Sequence, residues 1–216
     1  MTDAAPPVRT RPVLNRPVFD RPVFARHAAS LLLWRERAGD VEVLMGVRGA
    51  GHRFMPNRLV FPGGAVDPAD KRAPASEPHP ATLALLGRTA TPALARGLVM
   101  AAARELEEET SLSLGTPPDL SPLRYLCRAV TPPTSPIRFN ARFLLAPADA
   151  ATGQPTDSNE LHDVRFYPVV EALDLGLMDV TREVLNRLRD YLALPEPDRD
   201  RRTELFAYKR RRWERE

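Results

Sequence analysis

The stretch PALARGLVMAAARELEEETSLSLG, residues 92–115, sets the strongest constraint on how this chain can fold. Its periodicity predicts a helix from about Pro92 to Ser111. At about 100° per residue, Glu105, Glu108 and Glu109 share the face that carries Leu94, Leu98, Ala101 and Ala102. Glu107 points nearly the other way. The acids therefore continue an apolar stripe, on the side expected to pack inward. Carboxylates are disfavoured there by the negative end of the helix dipole, by like charge at neighbouring helical positions, and by partial burial. Arg104 relieves one of them, not three. Two readings follow: a solvated charge run on a surface helix, or a cluster completed by a divalent cation. For the second, i,i+3,i+4 spacing converges carboxylate oxygens of the kind that Mg²⁺ and Mn²⁺ prefer.

Around this helix the chain reads as mixed strand and helix. The segments ASLLLW and VEVLMGVR predict two strands joined by a turn at RERAGD. NRLVFPGG predicts a short strand entering a Gly-rich turn at Gly63 and Gly64. Residues 68–92 are rich in Pro and Ala and read as a loop, with a helical turn at PATLALLG. RYLCRAV, RFNARFLLA and LHDVRFYP follow as strands, and MDVTREVLNRLRDYLAL as an amphipathic helix with Thr181 as its N-cap. Irregular strand spacing predicts an α/β or α+β fold with a mixed sheet. In RFNARFLLA, alternation sets Phe139 and Phe143 on one face and Arg138 and Arg142 on the other. Arg142 there is either a pocket-lining residue or a solvated one.

Charge and cysteine content narrow the function classes. The net charge is +3, with +3 on residues 1–26 and +3 on residues 197–216, which leaves the middle at −3. The first segment carries the repeat RPVLN RPVFD RPVFA, whose prolines forbid a helix or a central strand. It reads as a Pro/Arg-rich tail, and residues 196–216 as a basic tail, either solvated or helix-capping, or touching nucleic acid or a membrane surface. Acids interspersed among the bases favour the solvated reading, and no base-stacking or groove-reading motif accompanies it. A single cysteine, Cys127, excludes an internal disulfide framework and a cysteine-based zinc site, as suits a reducing, cytoplasmic setting. No apolar run approaches the length of a membrane helix.

The Gly turn and the acidic helix together resemble the Nudix box, G-x5-E-x7-R-E-U-x-E-E-x-G-U with U apolar. Gly64 followed by five residues reaches Asp70, and Arg104, Glu105, Leu106, Glu108, Glu109 and Leu112 match the second half. Ser111 stands at the last glycine position, and 33 residues rather than seven separate Asp70 from Arg104. An insertion of about residues 71–92 would loop out, which loop-closure entropy tolerates. Either Asp70 or Asp67 takes the place of the first glutamate. The resemblance spans residues 27–195 and implies the Nudix fold, a mixed sheet between helices with the insertion inside the box.

That resemblance also implies a site and a chemistry. Glu105, Glu108 and Glu109 would be metal-binding acids for Mg²⁺ or Mn²⁺, oriented by Arg104. Glu160, in the later run TDSNELH, would be a distal acid, as metal ligand or general base, or else a plain surface glutamate. The substrate would be a nucleoside diphosphate linked to a second group, cleaved by water at the diphosphate with Glu105 or Glu160 as base. The upstream stretch LMGVRGAGHRFMPNRLVFPGG is similar to the signature of Nudix coenzyme A diphosphatases, with Leu44, Arg48, Arg53 and Phe61 to Gly64 in register. Gly46, Gly49 and Asn57 depart from it. Coenzyme A or an acyl-CoA is thus the expected substrate, Arg48 and Arg53 meeting its phosphate or else serving sheet-edge salt bridges. ADP-ribose, NADH or a dinucleoside polyphosphate are the alternatives within the class. A non-catalytic nucleotide-binding module is the alternative outside it, and a homodimer is left open.

Overall fold

The computed structural model describes residues 23–51 and 55–216. The RPV repeat up to residue 22 and Arg53 lie outside the described residues.

Strand β1 (Arg26–Arg37) and β2 (Asp40–Arg48) form a hairpin through a turn at Ala38 and Gly39, both at positive φ. The run Leu31, Leu32, Leu33 is apolar without a break because both sides of β1 are covered. Leu31 and Leu33 join one core and Leu32 the other. Two short strands follow, β3 (Leu59–Val60) on β2 and β4 (Gly63–Ala65) on β1. Helices α1 (Pro80–Gly87) and α2 (Pro92–Thr110) come next. The Thr91 side chain caps α2 by accepting from Leu94 N–H at 3.3 Å. The helix ends at Ser111, whose φ of 61° is left-handed and whose N–H returns to the Glu107 carbonyl. That conformation is why the box carries glycine at this position.

Strands β5 (Arg124–Val130), β6 (Phe139–Pro147) and β7 (Leu161–Pro168) lead to α3 (Val169–Asp174), α4 (Asp179–Leu192) and the single turn α5 (Glu196–Arg199). A last hairpin, β8 (Phe206–Lys209) and β9 (Arg212–Arg215), completes the sheet. Strand order is β3-β2-β1-β6-β5-β8-β9, with β4 added on β1 and β7 on β2. The β1–β6 and β5–β8 pairs are parallel and the others antiparallel, so the sheet is mixed, as expected. One face packs Leu31, Leu33, Leu44 and Leu144 against Leu85, Leu86, Leu98 and Leu106 of α1 and α2. The other packs Leu32, Met45, Phe143 and buried Cys127 against Val184, Leu185 and Leu188 of α4. No helix of the described residues is long and apolar enough to cross a membrane.

Three expectations need correction. Thr181 does not cap α4: the N-cap is Met178, and Thr181 lies inside the first turn, buried. Asp179 puts a negative charge at that end instead, where the dipole favours it. The helical turn expected at PATLALLG is present as α1, but the insertion does not loop out: α1 sends Leu85 and Leu86 into the core and Thr82 donates to the Leu123 carbonyl at 2.8 Å. Nor are residues 196–216 a tail. Leu205 and Ala207 are buried, β8 extends the sheet on β5, and Arg88 of the insertion donates to the carbonyls of Thr203 and Glu216. Four basic residues of this hairpin pair with acids: Arg211 with Asp179, Lys209 with Glu216, Arg212 with Glu214, and Arg215 with Glu204. Interspersed charge, read as a sign of a solvated tail, here belongs to an edge hairpin whose ion pairs run within it and to Asp179 of α4.

Candidate active site

Gly63 and Gly64 open strand β4, which lies between β1 and the C-terminal half of α2, and glycine is required by close approach to β1 at Gly63 and to α2 at Gly64. A Cβ on Gly63 would lie 2.5 Å from the Ala29 carbonyl oxygen and 2.6 Å from Ser30 Cα, both backbone atoms. A Cβ on Gly64 would lie 2.1 Å from Glu105 Oε1. With no side chains in the way, β4 presents the Gly63 N–H to Glu109 Oε2 at 2.7 Å. Glu109 is 2% exposed, and its other oxygen is buried with no hydrogen-bond partner. Burial pushes its carboxyl up to about 8, against the Gly63 N–H; the neighbouring Glu105 and Glu160 charges raise it further, and Arg48 lowers it. Glu105 is raised too, chiefly by burial, with Arg104 opposing.

Arg104 uses all five of its N–H groups. Nε and Nη2 donate to the two oxygens of Asp70 at 2.9 and 3.2 Å, and Nη2 also donates to the Ala65 carbonyl at 3.1 Å. Nη1 donates to Glu105 and Glu108, each at 2.9 Å. The bidentate bond to Asp70 is the largest influence holding Arg104 charged. Asp70 is buried and also accepts from the Asp67 N–H at 2.7 Å, so of the two acids considered, Asp70 pairs with the arginine and Asp67 shapes the turn. The sequence separation of 34 residues is spanned by the packed insertion.

Glu105, Glu108, Glu109 and Glu160 line one cleft of about 570 Å³, together with Asp157, Ser158 and Asn159. A smaller cleft beside it, about 360 Å³, is lined by Asp67, Asp70, Arg104 and Arg26. Glu160 comes to the first cleft because β7 pairs with β2, and Arg48 Nη2 lies 3.6 Å from its Oε2. Asp157 was not anticipated. It sits three residues before Glu160, and its carboxylate accepts from the Val164 N–H at 2.9 Å, closing the loop that carries the cleft's far wall. Two acids three residues apart ahead of a strand were the signal available in the sequence.

Arg142 is a correction. It does not line either cleft but is fully buried, sharing its face of β6 with Leu144 and Ala146. It contacts His27 Nδ1 at 3.0 Å and donates to the carbonyls of Asn140 and Thr89 at 2.9 and 3.3 Å. Burial pushes its guanidinium down to about 10. The alternation that set it opposite Phe143 holds, but both faces of the sheet are covered, so neither face offers solvent.

The donor set fits a hard divalent cation. Every candidate donor is a carboxylate oxygen, and Glu109 keeps a buried oxygen with nothing to bind. Among the described residues, no three His, Cys, Asp or Glu side chains are grouped as a ready-made cage. Glu105 and Glu108 are instead drawn together on the Arg104 guanidinium, on the same side as Glu109.

No family model matches the chain, and no curated protein does. Solved structures do. A Nudix hydrolase from Alicyclobacillus acidocaldarius is 28% identical over 76% of this chain and 90% of its own, with a TM-score of 0.59. A MutT protein from Methanosarcina mazei Go1 matches at 16% identity, 82% and 100% coverage and a TM-score of 0.53. The Nudix domain of Shewanella oneidensis NrtR, solved with ADP-ribose, matches at 17%, 79% and 90%, with 0.51. The last two likenesses are of fold. Together, the mixed sheet between helices, the Gly turn seated on an acidic helix, and the 28% identity to a Nudix hydrolase support membership of the Nudix hydrolase family.

Proposed function

We propose that this protein is a Mg²⁺- or Mn²⁺-dependent pyrophosphohydrolase that cleaves the diphosphate of a nucleotide joined to a second group. The observation that carries this is Glu109, a buried carboxylate with one oxygen on the Gly63 N–H and the other unmatched, beside Glu105 and Glu108 on one helix. Glu105, Glu108, Glu109 and Glu160 would hold the ion. Once bound, it would offset the acids' repulsion of a diphosphate and acidify water.

The chain's own residues supply the rest. Arg104 fixes Glu105 and Glu108 relative to Asp70 and so orients them on the side of α2 that carries Glu109. Glu105 or Glu160 accepts the proton as a water oxygen attacks phosphorus and the bridging P–O bond breaks; a raised ionisation suits Glu105 to this. Each product then carries phosphate. Arg48 and Arg53 are candidates for the substrate's phosphates, and coenzyme A or an acyl-CoA is the substrate proposed on the sequence match around them.

Purified protein assayed with and without Mg²⁺ or Mn²⁺ against coenzyme A, ADP-ribose, NADH and dinucleoside polyphosphates tests this. Turnover of coenzyme A to 3′,5′-ADP and 4′-phosphopantetheine supports the whole reading. Turnover of ADP-ribose alone removes the coenzyme A assignment, and metal-independent or absent cleavage across the panel removes the function.

A further inference from the structure

The sheet brings the Arg48 guanidinium against Glu160, one of the acids that line the cleft. Arg48 ends β2, and its backbone is fixed on both sides. Its N–H donates to the Arg58 carbonyl at 2.9 Å, its own carbonyl accepts from Asn57 at 2.8 Å, and it pairs with Leu161 of β7. The next residue, Gly49, donates its N–H to the Glu160 carbonyl at 2.9 Å. The Arg48 and Glu160 side chains therefore leave from adjoining backbone positions and meet at 3.6 Å. The Arg48 side chain is 20% exposed and that of Glu160 51%. Arg48 Nε is buried with no partner, and the guanidinium also acts through its charge on Glu109. Arg104, by contrast, has no N–H left to give.

We propose that Arg48 is a positioning residue that holds Glu160 at the rim of the cleft and supplies positive charge there until a divalent cation replaces it. The Arg48–Glu160 pair and the cation then compete. This rests on the reading of the cleft as the metal-holding site. The contact is longer than a direct charge-assisted hydrogen bond and half open to water, so it is weak and readily released. A guanidinium and a divalent ion repel each other over the same carboxylates. Once Glu160 turns to the ion, the freed Nη2 is available to phosphate oxygens.

The test is Mn²⁺ binding to the full chain, read from loss of the free-ion paramagnetic resonance signal at fixed ionic strength. Wild type is compared with Arg48→Gln, Arg48→Lys, Glu160→Gln and the Arg48→Gln/Glu160→Gln double variant. Arg48→Gln is expected to bind Mn²⁺ roughly three- to tenfold tighter. Arg48→Lys, which keeps the charge, is expected to bind as wild type does. The gain from Arg48→Gln should shrink to roughly half or less once Glu160 is Gln, because coupled positions do not add. Unchanged affinity in Arg48→Gln, equal tightening in Arg48→Lys, or the same gain with and without Glu160 overturns the proposal. A wild-type chain that takes up no Mn²⁺ overturns the reading of the cleft itself, and the proposal with it.

Discussion

Replacing Glu109 with Gln separates the energetic cost of the acidic helix from its use. Gln is nearly isosteric with Glu and can still accept from the Gly63 N–H. The carboxyl ionises near 8 in the folded protein against an ordinary value of 4.5. Because the folded value is the higher, the native state holds a proton between those limits that the unfolded chain has released. Stability from this group is therefore complete below about pH 4.5 and is lost as pH rises through about 8. At 1.36 kcal/mol per pH unit of displacement the loss reaches roughly 4–5 kcal/mol by pH 9, an upper figure. Glu109→Gln, which cannot ionise, escapes it. In EDTA the variant should match wild type near pH 5 and melt roughly 10–15 °C higher at pH 9. Mg²⁺ should raise the wild-type melting temperature at pH 9 and leave the variant's almost unmoved, while turnover by the variant is nearly lost. Thermal unfolding followed by circular dichroism across that range measures each quantity. A variant less stable than wild type at pH 9, or a difference independent of pH, would refute the idea that a buried, unmatched carboxylate stores this energy.

Other consequences follow from the same geometry. Gly64→Ala sets a methyl against the carboxylate of Glu105, a side-chain end that can turn aside, so activity should fall with the fold retained; Gly63→Ala meets backbone at Ala29 and Ser30 and should also lower the melting temperature, by the equivalent of roughly 1–3 kcal/mol. Ser111→Gly should stabilise by up to about 1 kcal/mol in denaturant titration, because the residue is left-handed and glycine adopts that conformation without a Cβ penalty. Deleting residues 204–216 uncovers the β5 edge, removes buried Leu205 and Ala207 and breaks the Arg128–Glu216 pair, so the truncated chain should unfold at lower denaturant or fail to stay soluble. Unchanged stability of that truncation would restore the reading of this segment as a tail.

What the chain determines by itself is local. The strands β1, β2, β5, β6 and β7 and the helices α2 and α4 are written in apolar periodicity. The placing of Glu105, Glu108 and Glu109 on one side of α2 follows from helical geometry alone, since the side chains are at most four residues apart. Asp70 over Asp67 was beyond that reach, because the choice depends on where a packed insertion of two dozen residues returns the chain to Arg104. Arg142 looked available because alternation says which face a residue takes but not whether that face is covered; α1 and α2 cover it. The hairpin β8–β9 was hidden because short, charged edge strands carry almost no apolar signal, and partners such as Arg88 and Arg128 lie far away in sequence. Glu160 and Arg48 meet for the same reason, across a β2–β7 pairing whose register no local pattern encodes. Secondary structure is settled by interactions within a few residues, whereas a site assembled from residues 48, 63, 70, 105, 109 and 160 exists only once the sheet and the α2 packing bring them together.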